Sequence, residues 1–222
     1  MLRLLIGNKA YSSWSLRGWL AVRQSGLPFE EVVVPLYDDD WPARRDGPDI
    51  APGGGKLPIL WDGDIAVWDS LAILEYLADR VGRARFWPED DAARGLARAM
   101  VAEMHSGFAA LRRALPMNVR RTDPPRDWPE EVAADIARVL HLWSEARTRF
   151  GGGGDYLFGA FGAADIMFAP VVTRFTTYSV ALPPLARAYA EAVTAHPFMQ
   201  DWLAAALVEP WVLARYERDG DA

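Results

Sequence analysis

The sequence predicts a small α/β domain followed by an all-α domain. Strand-like and helix-like segments alternate up to about residue 82, whereas the hydrophobic period is helical throughout from about residue 92. Between these regions, residues 83–91 contain a proline and are typical of a linker. The predicted domains are therefore 1–82 and 92–222.

In the first domain the elements follow the order βαβ, loop, ββα. The first helix begins after two serines and ends at Gly26 and Pro28, which are helix-stopping residues. The last two strands are joined by the turn at 62–64, Asp-Gly-Asp, which is typical of a hairpin. One helical turn is expected in the loop at 41–45. We predict strands at 3–8, 31–37, 58–61 and 65–68, and helices at 14–25 and from residue 70 onward.

The second domain is predicted to be helical throughout. An apolar stripe from Ala93 to Leu115 indicates one long helix. A second long helix follows Asp127, because Asp-Trp-Pro-Glu has the pattern of a capping box with proline in the first turn, and glycines at 151–154 end it. Three shorter helices are predicted at 163–179, 184–195 and 198–207.

Composition and charge exclude several classes of protein. The chain has 222 residues, is 51% hydrophobic, carries a net charge of −6 and lacks cysteine. Disulfides, thiolate metal sites and redox chemistry of the protein's own thiols are therefore excluded. His141 and Glu145 have metal-ligand spacing but no third ligand, so no metal is expected. There is no basic block for nucleic acid and no membrane-length apolar run, and we expect a cytoplasmic protein.

The most informative motif spans residues 56–75. Pro58 opens an apolar strand, a hairpin returns the chain, and Asp69 and Ser70 begin a helix. A helix N-terminus presents free N–H groups, and aspartate and serine are preferred there. The motif therefore predicts a site for a small peptide-like anion, held by backbone hydrogen bonds and a helix terminus.

Together with the segment 11–15, Tyr-Ser-Ser-Trp-Ser, this motif resembles the glutathione transferase family. The resemblance is to its serine-type classes, zeta in particular, because Arg17 follows Ser12 by five residues as in zeta proteins. It implies a thioredoxin-like N-terminal domain that binds glutathione and a helical C-terminal domain. This is the architecture that the pattern of the chain predicts independently.

Two serines are the candidate catalytic residues. Ser12 and Ser13 lie at the predicted start of the first helix, where serine acts as an N-cap. A hydroxyl there can also donate to a bound thiolate, and the partial positive charge of the helix end favours the anion. Lowering a free thiol's pKa of about 8.5 by about two units takes about 2.7 kcal/mol. The resemblance implies that Ser12 has this role, and Ser13 remains the alternative.

For the rest of glutathione, the resemblance implies contacts with the first domain. The family carries a cis proline at the position of Pro58, which lets the backbone of Leu57 pair with the cysteinyl part. Lys56 can pair with the glycine carboxylate, Ser70 with the γ-glutamyl carboxylate, and Asp69 with the α-ammonium group. The other predicted glutathione-binding residues are Tyr11 and Trp14.

The second substrate is expected against the first long helix of the second domain, opposite Tyr11 and Trp14. The resemblance implies that Arg174 can hold a carboxylate, as an arginine does in zeta-type isomerases. The candidate substrate-binding residues are Phe108, Arg112, Pro116, Met117, Asn118 and Arg174.

These residues predict a glutathione transferase, in which the glutathione thiolate attacks a small electrophile in a detoxification role. Two alternatives remain: a glutathione-dependent isomerase of the maleylacetoacetate isomerase type, and a non-catalytic transferase-like domain that binds a ligand or a protein. The resemblance also implies a homodimer, in which Arg94 or Arg98 of one chain reaches the region of Asp69 in the other.

Overall fold

The computed structural model describes residues 1–217 and confirms the predicted fold class. The first domain is built on a four-stranded mixed sheet in the order β2-β1-β3-β4. Strand β1 (Leu2–Ile6) pairs in parallel with β2 (Phe29–Val33) and antiparallel with β3 (Ile59–Asp62). Strand β4 (Ile65–Val67) continues the sheet antiparallel to β3 and forms one of its edges.

Helices α1 (Ser13–Ser25) and α3 (Ser70–Val81) pack together on one face of the sheet. The predicted helical turn α2 (Trp41–Arg45) lies on the other face. Helix α1 ends at Gly26, whose φ of 72° is left-handed and favours glycine. Helices α1 and α3 are each preceded by an N-cap residue, Ser12 and Asp69, whose side chain accepts a backbone N–H. These bonds fix both N-termini in place.

The second domain is formed by helices α4 to α9. Its core is aromatic: the ring of Trp143 lies 4.8 Å from that of Tyr189 and 5.6 Å from that of Phe175. A 3₁₀ turn at Ala214–Tyr216 follows the last helix. The helices are α4 (Asp91–Ser106), α5 (Ala109–Ala114), α6 (Glu130–Phe150), α7 (Ala163–Thr177), α8 (Pro184–Ala195) and α9 (Pro197–Val208).

The prediction of one unbroken helix over 93–115 is wrong, because the chain breaks between α4 and α5. Gly107 ends α4, and a Cβ there would lie 2.8 Å from the carbonyl oxygen of Glu103. Phe108 follows with a left-handed φ of 61°. The apolar period continues across the break, so the hydrophobic stripe alone does not reveal it.

The two domains are joined closely through α1 and α7. Arg17 in α1 is 1% exposed and donates from Nε to the C=O of Met167 in α7 at 2.9 Å. In the linker, Phe86 and Trp87 are buried, and the C=O of Phe86 accepts the N–H of Ala163 at 2.8 Å. Within residues 1–217, no helix is both long and apolar enough to cross a membrane.

Candidate functional site

Two cavities adjoin at the start of α1. The larger, of about 530 Å³, lies between the first domain and the end of α4, and the smaller, of about 300 Å³, lies between the start of α1 and the second domain. Ser12, Trp14, Leu36 and Tyr37 line both. These sizes suit small-molecule ligands, so the arrangement can bring two ligands together at Ser12.

Besides Ser12 and Trp14, the larger cavity is lined by four more of the predicted residues, Lys56, Leu57, Pro58 and Asp69. The Leu57–Pro58 peptide bond is cis. Pro58 packs directly on α1 at Gly18, where a Cβ would lie 2.7 Å from the proline Cγ. Only glycine permits this approach, which sets the start of β3 against the start of α1.

Asp69 and His105 connect the two domains at the wall of the larger cavity. Asp69 Oδ2 lies 3.1 Å from His105 Nε2, while Oδ1 accepts the N–H of Leu71 at 3.0 Å and caps α3. The His105 ring meets Trp14 edge-on, with 5.4 Å between centroids. The sequence does not predict this contact, because a lone histidine carries no information about its partner.

Ser70 lies beside Asp69 at the first turn of α3. It is 1% exposed, and its Oγ has no hydrogen-bond partner within residues 1–217. Ser70 is not among the residues that line the two cavities. A buried hydroxyl without a partner is unfavourable, so a polar group supplied by a ligand would stabilise it. The N-terminus of α3 adds backbone N–H groups that favour an anion.

The two candidate catalytic serines have different surroundings. Ser12 lines both cavities, whereas Ser13 lines only the smaller one. The Oγ atoms of Ser12 and Ser15 lie 2.8 Å apart, and Ser12 Oγ also accepts the N–H of Ser15 at 3.3 Å. Ser13 Oγ instead accepts a hydrogen bond from Arg174 Nη2 at 3.0 Å.

Three arginines surround the smaller cavity. Arg112 and Arg174 line it, and Arg17 lies behind Trp14. The guanidinium carbons of Arg17 and Arg112 lie 4.6 and 4.8 Å from the centre of the Trp14 ring, which are cation–π distances. Arg174 also donates to the C=O of Leu115 at 2.7 Å. The hydrogen bonds of this cluster go to neutral groups.

No carboxylate within residues 1–217 lies within ion-pair distance of any of the three guanidinium groups, although Asp69 and Asp135 act on Arg17 and Arg112 from farther away. Burial lowers the pKa of Arg174 to about 10, and the charge of Arg112 contributes. Burial also lowers the pKa of Arg17, with smaller contributions from Arg112 and Arg174. Buried cations are unfavourable without a counter-ion, so the smaller cavity favours an anion.

The C-terminal part of the described chain forms another wall of the smaller cavity. Leu213 and Tyr216 line it, and Tyr216 stacks on Tyr11 with 5.8 Å between centroids. Tyr11 donates its hydroxyl to Glu217, and Asn118 donates to the same carboxylate at 3.0 Å. Burial and the bond to Glu217 raise the pKa of Tyr11 to about 12. The Tyr11 hydroxyl hydrogen is therefore bonded to Glu217 and is not available to a ligand.

Of the predicted substrate-binding residues, Arg112, Pro116, Met117 and Arg174 line the smaller cavity. Phe108 and Asn118 line neither cavity: Phe108 packs in the hydrophobic core, and Asn118 is fully buried. The wall residues Leu36, Tyr37, Leu213 and Tyr216 were not predicted, because the first three lie in loops and Tyr216 lies in a short 3₁₀ turn, all outside any motif. No group of His, Cys, Asp and Glu able to hold a metal occurs in the described part of the chain.

Two family models match the chain. Residues 11–80 match the model described as glutathione S-transferase, N-terminal domain, and residues 94–205 match the model of the C-terminal domain. Glutathione S-transferase GstB of Escherichia coli is 24% identical over 156 residues, which are 69% of this chain and 74% of that protein. Dichloromethane dehalogenase of Methylorubrum extorquens is 38% identical over 61 residues, 28% of this chain and 21% of that protein.

Solved structures share the fold along nearly the whole chain. A glutathione transferase homologue from Burkholderia with bound glutathione has a TM-score of 0.67 at 22% identity, covering 92% of this chain and 97% of that one. A theta-class glutathione S-transferase from Xanthomonas axonopodis pv. citri with glutathione bound has a TM-score of 0.66 at 22% identity, covering 93% and 98%. A diazinon-metabolizing glutathione S-transferase of Bombyx mori has a TM-score of 0.68 at 18% identity, covering 93% and 98%.

Proposed function

The chain belongs to the glutathione S-transferase family, and on this premise we propose that it joins the thiolate of glutathione to a small electrophile. Glutathione occupies the larger cavity and the electrophile the smaller one. The observation that carries the proposal is the position of Ser12, which lines both cavities at the N-terminus of α1. The names of the relatives, and the two similar structures with bound glutathione, support glutathione as the co-substrate.

The first step is ionisation of the bound thiol, whose proton passes to solvent. Ser12 donates a hydrogen bond to the sulfur, and a charge-assisted bond of this kind contributes about 1.5–3 kcal/mol. The N-terminus of α1 adds a favourable field. Together these account for a pKa lowered by about two units, which takes about 2.7 kcal/mol. Tyr11 does not serve as the donor, because its hydroxyl binds Glu217.

The second step is attack of the thiolate on the electrophile. A carbon–sulfur bond forms and the leaving group departs with the bonding electron pair. Because Ser12 lies where the two cavities meet, the sulfur and the reacting carbon are held in contact, which lowers the entropic part of the barrier.

Glutathione is held by groups of both charges. Lys56 pairs with the glycine carboxylate, and the backbone of Leu57 pairs with the cysteinyl part. The buried, unpaired Oγ of Ser70 and the N–H groups of α3 take the γ-glutamyl carboxylate. Asp69 pairs with the α-ammonium group, and His105 holds the Asp69 carboxylate in position. Trp14 forms part of the cavity wall.

The electrophile carries a carboxylate or a similar planar anion. Arg112 and Arg174 line the smaller cavity without a carboxylate partner within residues 1–217, and guanidinium groups bind planar oxyanions well. Met117 and Tyr216 supply the apolar wall. This same observation favours a second candidate function, glutathione-dependent isomerisation. In that reaction the thiolate adds to a double bond conjugated to a carbonyl group, the bond rotates, and the thiolate leaves.

We also propose that the protein is a homodimer. Strand β4 is an edge of the sheet; Ile65, its first residue, and Trp68, which follows it, are 52% and 49% exposed. Arg94 is engaged with Asp91 within its own chain, whereas Arg98 stacks on Trp87 at 5.4 Å. Sedimentation equilibrium tests this proposal, and an active monomer of 24.7 kDa contradicts it. Cytoplasmic location and a role in detoxification stay predictions from the sequence.

Two measurements test the proposed function. Calorimetry should show that glutathione binds, and an absorbance assay with a chlorodinitrobenzoate should show release of chloride and formation of the thioether. A protein that binds glutathione but turns over neither this electrophile nor a conjugated, carboxylate-bearing double bond contradicts the enzymatic proposal. A protein that does not bind glutathione contradicts the proposal as a whole and leaves only a transferase-like fold.

A further inference from the structure

A chain of buried hydrogen bonds lies behind Ser12. The backbone N–H of Gly7, at the end of β1, donates to Ser15 Oγ at 2.9 Å. Ser15 Oγ lies 2.8 Å from Ser12 Oγ, and the N–H of Ser15 donates to Ser12 Oγ at 3.3 Å. Ser15 is fully buried and lines neither cavity, so it does not touch a ligand.

The directions of these bonds follow from counting donors and acceptors. The N–H of Gly7 can only donate, so Ser15 Oγ accepts there. The Ser15 hydroxyl hydrogen then needs an acceptor, and within residues 1–217 the Oγ of Ser12 is the only one within hydrogen-bonding distance. A buried hydroxyl without an acceptor is unfavourable, so Ser15 donates to Ser12 when Ser12 has another acceptor of its own.

We propose that Ser15 is a positioning residue that directs the Ser12 hydroxyl hydrogen toward the sulfur of glutathione. In the structure Ser12 Oγ donates to Ser15 Oγ and accepts the N–H of Ser15. When the sulfur takes the Ser12 hydrogen, the bond between the two hydroxyls reverses, and Ser12 Oγ accepts from both the hydroxyl and the N–H of Ser15, which uses its two lone pairs. Ser12 then has only its own hydrogen left to offer to a ligand. This inference rests on the proposed function.

The consequence is selectivity for the ionised thiol. A hydroxyl whose lone pairs are both occupied cannot accept a hydrogen bond from an S–H group, but it can donate to a thiolate. Ser12 therefore stabilises the charged form and gives nothing to the neutral form, which is the condition for lowering a pKa. A free serine hydroxyl would serve both forms and shift the pKa less. Ser13 lacks this arrangement, since its Oγ accepts from Arg174.

The experiment is a double-mutant cycle read by thiolate ultraviolet absorbance against pH. Difference spectra with and without glutathione are recorded for the wild type, Ser12→Ala, Ser15→Ala and the double variant. The chain contains no cysteine, so glutathione supplies the only thiol. We expect Ser15→Ala to raise the pKa of the bound thiol by about one unit, and we expect no further effect of Ser15→Ala once Ser12 is alanine.

The outcomes separate this inference from the proposed function. If Ser12→Ala raises the pKa of the bound thiol and Ser15→Ala leaves it unchanged, Ser15 is only structural and the inference is wrong. If the two effects add in the double variant, Ser15 acts by another route and the inference is also wrong. If bound glutathione is not ionised in the wild type, the proposed function itself fails and this inference fails with it.

A second variant covers the case in which Ser15→Ala does not fold. Ser15→Cys keeps the shape of serine, but its thiol is a weaker donor and acceptor. We expect it to raise the pKa of bound glutathione by less than Ser15→Ala would, and the difference spectra remove any absorbance of the new thiol. A titration identical to that of the wild type overturns the proposal, whatever the change in melting temperature.

Discussion

The two cavities differ in how the chain builds them. Apart from the residues that line both cavities, the larger has one contiguous segment in its wall, 55–58, together with Trp41, Asp69 at the start of α3, and His105 and Ser106 at the end of α4. The smaller is formed by side chains from α1, the α5 region, α7 and the 3₁₀ turn near residue 215, which are far apart in the sequence. Recognition by backbone groups suits a ligand that is always the same. Side chains from separate elements can be substituted independently, so such a wall can be adapted to different second substrates.

The cavities also differ in charge. The larger contains Lys56, Asp69 and His105, so it offers groups of both signs to a zwitterionic tripeptide. Among residues 1–217, no aspartate or glutamate lines the smaller cavity, where Arg112 and Arg174 are the charged lining residues. Under the proposed function, the larger cavity selects its ligand by groups of both charges and the smaller cavity by positive charge alone. Substitutions can therefore test each half of the site separately.

The largest effect is expected at the junction. Ser12→Ala should lower kcat/KM by about 10² at neutral pH, as loss of a donor to a developing or bound anion does, while calorimetry should show glutathione affinity changed only a few-fold. Ser13→Ala is the matched control and should lower kcat/KM by less than about tenfold. The reverse order of the two effects would move the catalytic role to Ser13.

The second effect concerns charge selection in the smaller cavity. Arg112→Gln should reduce the preference for a chlorodinitrobenzoate over its neutral carboxamide by about tenfold, because a charge-assisted bond to the carboxylate is lost. Arg113→Gln is the control, since its side chain is 70% exposed and pairs with Glu131. Equal loss on both electrophiles would show that Arg112 supports the fold rather than the anion.

A smaller effect is expected in the larger cavity. Asp69→Asn keeps the side-chain oxygen that caps α3 but removes the charge that pairs with the α-ammonium group. The Kd for glutathione should rise about fivefold, which is the scale of an exposed ion pair. The Kd for deaminated glutathione, measured by the same calorimetry, should not change. A rise for both ligands would place Asp69 in a structural role only.

The smallest effect is expected at the C-terminal wall. Tyr216→Ala removes the ring that stacks on Tyr11 and lines the smaller cavity. The KM for the electrophile should rise about threefold, in keeping with the energy of one aromatic pair. The Kd for glutathione serves as the internal control and should stay constant. A changed glutathione affinity with an unchanged KM would contradict the division of the site into two halves.

Several residues of the larger cavity could be predicted from the sequence because they belong to short, contiguous motifs. Pro58 at a strand start, Asp69 and Ser70 at a helix start, and Ser12 as an N-cap each have a local physical signature. Ser12, Pro58 and Asp69 line the larger cavity, and their contacts with glutathione stay predictions. The fold class followed in the same way, from a change of hydrophobic period near residue 90.

The smaller cavity was less accessible to such reasoning. Phe108 and Asn118 were predicted to face the substrate because they lie on or just after one long helix. The chain instead breaks at Gly107, Phe108 packs in the core, and Asn118 is hydrogen-bonded to Glu217. Tyr216 follows Arg174, the nearest predicted wall residue, by 42 residues and Arg112 on α5 by 104. Contacts over such separations depend on tertiary packing, which the local period does not encode.

The most direct test is the crystal structure of the complex with glutathione. We predict that the sulfur lies within hydrogen-bonding distance of Ser12 Oγ, at the junction of the two cavities, with the γ-glutamyl carboxylate at Ser70 and the smaller cavity left open to the electrophile. A sulfur bonded to Ser13 or placed among Arg112 and Arg174, with Ser12 Oγ bound only to Ser15, would contradict the account.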